Sequence, residues 1–89
     1  MTRAELEQRI IAAIKSTIAE STGKAGAAVT IDSKLDRGSI GLDSLGWATV
    51  IVRLEAELGA DPFRTESTRG LQTVSDIVDL YQKTLETQS

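Results

Sequence analysis

The chain has 89 residues, of which 40% are apolar and 26% are charged, and its net charge is −3. This size and composition predict a single folded domain over residues 1–89, and an acidic balance with scattered cations argues against nucleic acid or an anionic membrane as a partner. Cysteine and histidine are both absent, which excludes disulfides, a thiolate nucleophile, Cys/His metal sites and a Ser–His catalytic pair.

No stretch of the sequence predicts a membrane span or a secretory signal. Apolar runs stay far short of the ~18 residues that a transmembrane helix needs, and the first residues are polar instead of a secretory apolar segment. We therefore expect a cytoplasmic protein. The small size, together with the absence of His and Cys, also argues against an enzyme.

The first helix is predicted over residues 2–20. Thr2 and Glu5 have the spacing of a capping box, and apolar residues then recur at every fourth position, which is typical of an amphipathic helix. The members of this stripe are Leu6, Ile10, Ile14 and Ile18. Gly23 supplies the signal that ends the helix.

A long loop rich in Gly, Ser, Ala and Asp is predicted over residues 23–43. Its apolar residues are too irregular for a helix. Residues 29–31 have the composition of a short strand, but a lone strand would have nothing to pair with. We therefore predict an ordered loop that is held to the core at four points. These points are Val29, Ile31, Leu35 and Ile40.

The second helix is predicted over residues 44–58, with Asp43 as its N-cap and Gly59 at its C-terminal end. The residues of its expected buried line are Val50, Leu54 and Leu58. Gly46 stands in the first turn and has two interpretations. It is either simply tolerated near a helix end, or it is needed for the close approach of a partner.

Residues 60–64 are predicted to form a connector, and residues 66–70 one short helical turn. The last helix is predicted over residues 73–85, starting with a capping box of Thr73 and Asp76 and followed by a polar tail that frays. Its apolar stripe consists of Val74, Ile77, Val78, Tyr81 and Leu85. The predicted fold class is thus all-α: a small bundle of three main helices plus one short helix, with a long first loop.

The segment Gly41-Leu42-Asp43-Ser44-Leu45, followed by an amphipathic helix that ends in Glu-Leu-Gly, resembles the phosphopantetheine attachment region of acyl carrier proteins. The spacing of the other helices resembles the same family. The resemblance implies that a separate phosphopantetheinyl transferase esterifies Ser44 with the 4′-phosphopantetheine of coenzyme A. It also implies that Asp43 is the adjacent acid favoured by the transferase and its magnesium site, while the carrier holds no metal itself.

Carriers of this family hold acyl, aminoacyl or peptidyl cargo as a thioester on the added arm and deliver it to enzymes that dock on the second helix. The resemblance therefore implies a carrier that catalyses nothing itself. Its implied partners are the transferase, an acyl- or aminoacyl-loading enzyme, and ketosynthase or condensation-type enzymes. We expect a monomer in which Leu42 and Leu45 flank the arm and contact these partners.

The second helix departs from the pattern of housekeeping fatty-acid carriers, in which the exposed face is strongly acidic near its start. Here no acid occurs in this helix before Glu55, and Arg53 adds a positive charge. Because complementary charge sets partner choice, we expect partners to contact Leu45, Trp47 or Val52, with Arg53 alongside. This favours a polyketide or nonribosomal peptide pathway. Housekeeping fatty-acid synthesis and an unmodified, carrier-like interaction adaptor are the alternatives.

The physical properties of the chain agree with the role of a carrier, because a modest aliphatic core can open between the helices to shelter an apolar cargo chain. The candidates for lining such a space are Val50, Leu54, Ile77 and Val78. The same spacing is typical of plain core residues, and this second interpretation applies to all four. It applies equally to Trp47, because a lone tryptophan at helical spacing is typical of a core.

Overall fold

The computed structural model describes residues 2–23, 29–36, 40–64 and 70–88, and the regular elements in these ranges are helical. They are α1 (Arg3–Thr22), α2 (Ser44–Leu58), a 3₁₀ helix (Pro62–Arg64) and α3 (Val74–Gln88). The predicted all-α bundle of three main helices is confirmed. The 3₁₀ helix lies in the predicted connector, whereas residues 66–69 of the predicted short helix lie outside the described residues.

α1 has the predicted terminal signals but runs two residues further than expected. Thr2 is the N-cap, and its Oγ1 accepts a hydrogen bond from the Glu5 N–H at 3.1 Å. Gly23 follows the last turn with a left-handed φ of 74°, and its N–H donates to the Ala19 carbonyl at 2.9 Å. Because this left-handed residue ends the helix, the last turn extends to Thr22.

A single aliphatic core joins the three helices and the long loop. α1 contributes its whole predicted stripe to this core. The other members are Ala13, Val29, Ile40, Leu42, Val50, Leu54, Val74, Ile77, Val78 and Tyr81. α1 packs against both α2 and α3, whereas no Cα atom of α2 lies within 8 Å of a Cα atom of α3. α1 is therefore the helix that the other two share.

The loop before α2 is fastened to the start of α3 by backbone hydrogen bonds. The carbonyl oxygens of Ile31 and Ser33 accept from the second and first N–H groups of α3, at 2.8 and 3.0 Å. The Leu35 N–H donates to the Gln72 carbonyl at 2.9 Å. These bonds satisfy amides that a helix start leaves without a partner, so the loop acts as a backbone cap for α3.

The side chains of the loop follow the prediction at three of the four expected points. Val29 and Ile40 are buried in the core, and Leu35 packs against it. Ile31 is half-buried and is held by its backbone instead. Residues 29–31 form no strand, and the loop makes an isolated bridge between Lys34 and Thr73. Backbone hydrogen bonds from Ile31, Ser33 and Leu35 to the start of α3 hold this part of the loop without a partner strand.

α3 starts with the predicted capping box. The Asp76 N–H donates to Thr73 Oγ1 at 3.3 Å, and Asp76 Oδ2 accepts from the Thr73 N–H at 3.0 Å. The helix then continues to Gln88, three residues beyond the predicted end at Leu85. Glu and Gln are good helix formers, which favours this extension.

The Asp76 cap predicts a measurable sensitivity to acid. Hydrogen bonds from the backbone N–H of Gln72, and then of Thr73, hold the pKa of Asp76 below its ordinary value of 3.8. A depressed pKa stabilises the fold above the unfolded-state value, and this contribution is lost as the pH falls through the folded-state value. We expect urea unfolding at about pH 6 and about pH 3 to show a smaller acid-induced loss for Asp76→Asn than for the parent.

The matched control is Glu86→Gln, which removes the same charge from α3 at an exposed position outside the cap. This variant should lose as much stability on acidification as the parent. An equal loss for Asp76→Asn and the parent would contradict the assigned role of the cap.

Candidate functional site

The turn before α2 fixes where the helix starts. Gly41 adopts a left-handed φ of 82°, and Asp43 is the N-cap, as predicted. Asp43 Oδ1 accepts the Gly46 N–H at 2.8 Å, and the Asp43 carbonyl accepts the Trp47 N–H at 3.0 Å. One side chain thus caps a first-turn amide, and the same residue begins the helical hydrogen bonding.

Ser44 is the first residue of α2, and it is exposed. Within the described part of the chain, the N–H groups of Ser44 and Leu45 have no acceptor. Such amides, together with the helix dipole, favour a negative group at this end of a helix, and the first turn of α2 holds no acidic residue. A phosphate ester on Ser44 Oγ therefore fits the residues that are present.

Leu42 does not lie where a partner contact requires it. Its side chain is only 3% exposed and belongs to the core cluster. The expectation that Leu42 contacts partners from the surface is therefore wrong. The physical reason is its place just before the N-cap, where an apolar side chain commonly turns back onto the helix it precedes.

Gly46 begins the core-facing line of α2, which the sequence prediction missed. Its four-residue spacing from Val50 was the available signal, and both residues are buried, as is Leu54 one turn later. A Cβ atom on Gly46 would lie 2.8 Å from Leu42 Cδ2. The close approach at Gly46 is therefore made by Leu42 of the same chain, and neither of the two earlier interpretations describes it.

Leu45, Ala48 and Val52 form an exposed line on α2, here called the outer stripe. Leu45 and Val52 are 76% and 64% exposed, and a seven-residue spacing places them about 20° apart around the helix. Ala48 lies between them and is also exposed. α2 carries no charged residue before Arg53. The structure thus places two of the predicted partner contacts on an uncharged helix surface.

Arg53 joins α2 to α1. Its Nη1 donates to Thr17 Oγ1 at 3.2 Å, and its Nη2 donates to Glu20 Oε1 at 2.7 Å. Thr17 is 2% exposed and also donates to the Ala13 carbonyl at 2.8 Å. The guanidinium is engaged within the chain, which argues against the partner contact that the sequence predicted. Sequence spacing within one helix carries no signal for this contact between helices.

An apolar pocket of about 270 Å³, which is open to the surface and is here called the cavity, lies where α2 and α3 stay apart. The described residues that line it are Leu35, Trp47, Ile51, Phe63, Leu71 and Ile77. The long loop, α2, the 3₁₀ helix, the segment before α3 and α3 itself each contribute to the wall. Two of the three aromatic residues of the chain are among them.

The cavity has a different lining from the predicted one. Of the four residues proposed for a cargo space, only Ile77 lines it. Val50, Leu54 and Val78 are at most 1% exposed and belong to the core. Trp47, predicted as a partner contact, is half-buried and lines the cavity.

The cavity begins close to Ser44 along α2. Trp47 and Ile51 follow Ser44 by three and seven residues, which corresponds to about 4.5 Å and about 10.5 Å along the helix axis. Both residues lie on the same side of α2 as Ser44, because these spacings are close to whole turns. A flexible group attached at Ser44 would therefore meet the cavity within one to two turns of the helix.

Tyr81 packs beside the cavity wall, and its role is structural. Its ring meets that of Phe63 edge-on, with centroids 5.9 Å apart. Tyr81 is fully buried, and its hydroxyl has no hydrogen-bond partner in the described ranges. Burial, with a smaller effect of the charges of Asp61 and Glu55, raises the pKa of Tyr81 far above its usual range. The phenol therefore stays neutral and serves in packing.

Two further properties bear on the site. Among the described residues, no three His, Cys, Asp or Glu side chains are grouped so that they could hold a metal ion. None of the described helices is both long and apolar enough to span a bilayer.

Comparison with known protein families gives a match. A family model for the phosphopantetheine attachment site matches residues 12–81, which include the second half of α1, the turn at Ser44, all of α2 and the first half of α3. Neither the curated proteins nor the solved structures contain a match to the chain.

Proposed function

We propose that Ser44 is the serine to which 4′-phosphopantetheine is attached, because this chain belongs to the acyl carrier protein family of phosphopantetheine-binding proteins. Attachment of this group to a serine is the defining property of the family. The observation that carries the choice of Ser44 is its exposed position at the start of α2, beside amides without acceptors among the described residues. The 89 residues then form one monomeric carrier domain.

α3 offers an internal comparison, because it also has a serine in its first turn. The Ser75 N–H donates to the Ile31 carbonyl at 2.8 Å, and the neighbouring Asp76 N–H donates to Thr73. Ser75 itself is half-buried. The start of α3 is thus occupied by the chain itself, whereas the start of α2 is open. This difference supports Ser44 over Ser75.

The chain presents the Ser44 hydroxyl to a phosphopantetheinyl transferase. A bond forms between Ser44 Oγ and phosphorus, the pyrophosphate bond of coenzyme A breaks, adenosine 3′,5′-bisphosphate leaves, and the hydroxyl proton passes to a base of the transferase. Asp43, exposed beside Ser44, is the acid that we assign to recognition by the transferase and its magnesium. Once attached, the group supplies a thiol that carries acyl or aminoacyl cargo as a thioester to partner enzymes.

Incubation with coenzyme A, magnesium and a phosphopantetheinyl transferase should add the mass of one phosphopantetheine to the parent protein. Ser44→Ala should fold normally, because the side chain is exposed, yet gain no mass. Intact-protein mass spectrometry with circular dichroism measures both. The matched control is Ser75→Ala, which should be modified like the parent. A mass gain in Ser44→Ala would reject this site, and no gain in the folded parent with two different transferases would favour the unmodified adaptor.

The outer stripe is the proposed docking surface. An exposed leucine and valine on one helix line, starting next to Ser44, favour apolar contact with a partner that has come to the arm. Glu20 and Glu57 are paired with Arg53 and Arg9 within the chain, and α2 carries no acid before Glu55, so the outer stripe itself offers no acidic side chain to a strongly basic partner surface. This supports ketosynthase or condensation-type partners of a polyketide or nonribosomal peptide pathway. Housekeeping fatty-acid synthesis is the alternative.

Leu45→Ala should weaken docking of the transferase itself. Loss of one buried leucine contact is worth roughly 1.5–3 kcal/mol, so we expect KM for the carrier to rise about tenfold or more. Steady-state kinetics with coenzyme A measures this change. The control is Gln8→Ala, an exposed truncation on α1, which should leave KM unchanged. An unchanged KM for Leu45→Ala would remove the outer stripe from the proposed interface.

The apolar cavity is the proposed shelter for cargo. All of its described lining side chains are apolar, and burial of apolar chain there is favourable in proportion to the area removed from water. Its α2 wall starts within about one turn of Ser44. Cargo in this cavity would not require the core around Val50 and Leu54 to open, and both of these residues are fully packed.

Trp47 is the only tryptophan of the chain, so its fluorescence reports on the cavity directly. Loading the modified protein with a medium-length saturated acyl chain should shift the Trp47 emission to shorter wavelength, whereas acetyl loading should not. Leu35→Phe, which adds volume at a half-buried position of the wall, should reduce the shift. Identical spectra for acetyl and the longer chain would exclude this cavity as the cargo site.

A further inference from the structure

We infer that the contact between Leu42 and Gly46 sets the position of Ser44, which makes Gly46 a positioning residue for phosphopantetheine transfer. The inference rests on the proposed attachment at Ser44 and deepens it. Leu42 and Gly46 stand two residues to either side of Ser44 and hold the turn against the helix that follows it. The position of the exposed Ser44 hydroxyl therefore depends on two buried neighbours, Leu42 and Gly46.

Gly46 differs in kind from the other described glycines. Gly23, Gly41, Gly59 and Gly70 all have positive φ, and a Cβ added to any of them would meet nothing within 4 Å. Gly46 is helical, and its added Cβ would lie 2.8 Å from Leu42 Cδ2 and 3.4 Å from Leu42 Cβ. Gly46 is therefore needed for space, whereas the other four are suited to a backbone conformation.

The strain of an added methyl group would fall on the turn that carries Ser44. Leu42 is 3% exposed and packed in the core, so it has little room to yield away from Gly46. The new Cβ would also lie 3.4 Å from Asp43 Oδ1, the atom that caps the Gly46 N–H at 2.8 Å. Because the packed core restricts the Leu42 side chain, we expect part of the strain to move the backbone that supports the Ser44 hydroxyl.

Displacement of a reacting group is costly in an enzyme-bound complex, and a misplacement of about 1 Å can slow a reaction about 10²-fold. In Gly46→Ala we expect kcat for phosphopantetheine transfer to fall by about tenfold, with KM for the carrier changed by less than about twofold. The outer stripe remains available for docking, so the loss appears in kcat. Alanine is a better helix former than glycine. If Gly46 acted only through helix propensity, Gly46→Ala would be at least as stable as the parent and its rate of phosphopantetheine transfer would be unchanged.

The test measures kcat and KM for the parent, Gly46→Ala, and the double variant Leu42→Val with Gly46→Ala. Valine lacks the Cδ2 atom that the new methyl group would meet, so the double variant should recover most of the lost kcat. The control is Ala56→Gly, which alters helix propensity at an exposed position of α2 far from the turn. Its kcat should match that of the parent.

Each outcome has one meaning. A parent-like kcat in Gly46→Ala overturns the inference, and so does a loss that the added Leu42→Val leaves uncorrected. If Gly46→Ala folds too poorly to assay, recovery of helical signal and rate in the double variant supports the inference, and failure to recover overturns it. A parent protein that no transferase modifies would instead reject the proposed function, so the two failures are distinguishable.

Discussion

The packing of α1 against both other long helices is the interaction on which the rest of the structure depends. Its stripe of leucine and isoleucine is buried from end to end, and it contacts α2 and α3 while these two keep their backbones apart. A chain of 89 residues buries only a modest core, and here that core is concentrated on one side of α1. The gap between α2 and α3 and the free outer face of α2 both follow from this arrangement.

Ion pairs also join α1 to each of the other two long helices. Arg3 and Arg9 on α1 pair with Asp79 on α3 and Glu57 on α2, at 2.6 and 2.9 Å, and Arg53 reaches from α2 to α1. Surface pairs of this type contribute little stability, typically about 0.2–1 kcal/mol each. They place charged side chains where α1 meets the other two helices. The outer stripe beside Ser44 is uncharged because its own residues, Leu45, Ala48 and Val52, are apolar.

The sequence predicts well whatever is decided within one helix. The four-residue repeat of α1, the Asp43 cap of α2 and the Thr73–Asp76 box of α3 all depend on neighbours in the chain, and all are present in the structure. The exposed position of Ser44 follows from the same local logic. Helix ends were predicted less accurately, because α1 continues up to the left-handed Gly23 that ends it and good helix formers extend α3.

What the sequence did not predict depends on contacts that helical periodicity does not describe, either between the turn and α2 or between two helices. Leu42 reads as a surface residue of a recognition motif, yet it fills the space that Gly46 leaves open. Arg53 reads as a free surface charge, yet Thr17 and Glu20 of another helix engage it. Periodicity identifies which residues of α2 face inward, but it does not say which of them meet a neighbour and which border a gap. Val50, for example, packs within the core, whereas Trp47 borders the cavity.

The hydrogen bonds that fasten the long loop to α3 have a consequence for any guest between the helices. Leu35 forms part of the cavity wall, and its N–H, together with the carbonyls of Ile31 and Ser33, holds the segment that starts α3. Moving this wall outward uncaps the helix, and each backbone group left unsatisfied costs about 1–3 kcal/mol. Room for a bulkier guest and order in the first turn of α3 are therefore in opposition. The backbone hydrogen bonds at the start of α3 therefore limit the size of the group that this cavity can hold.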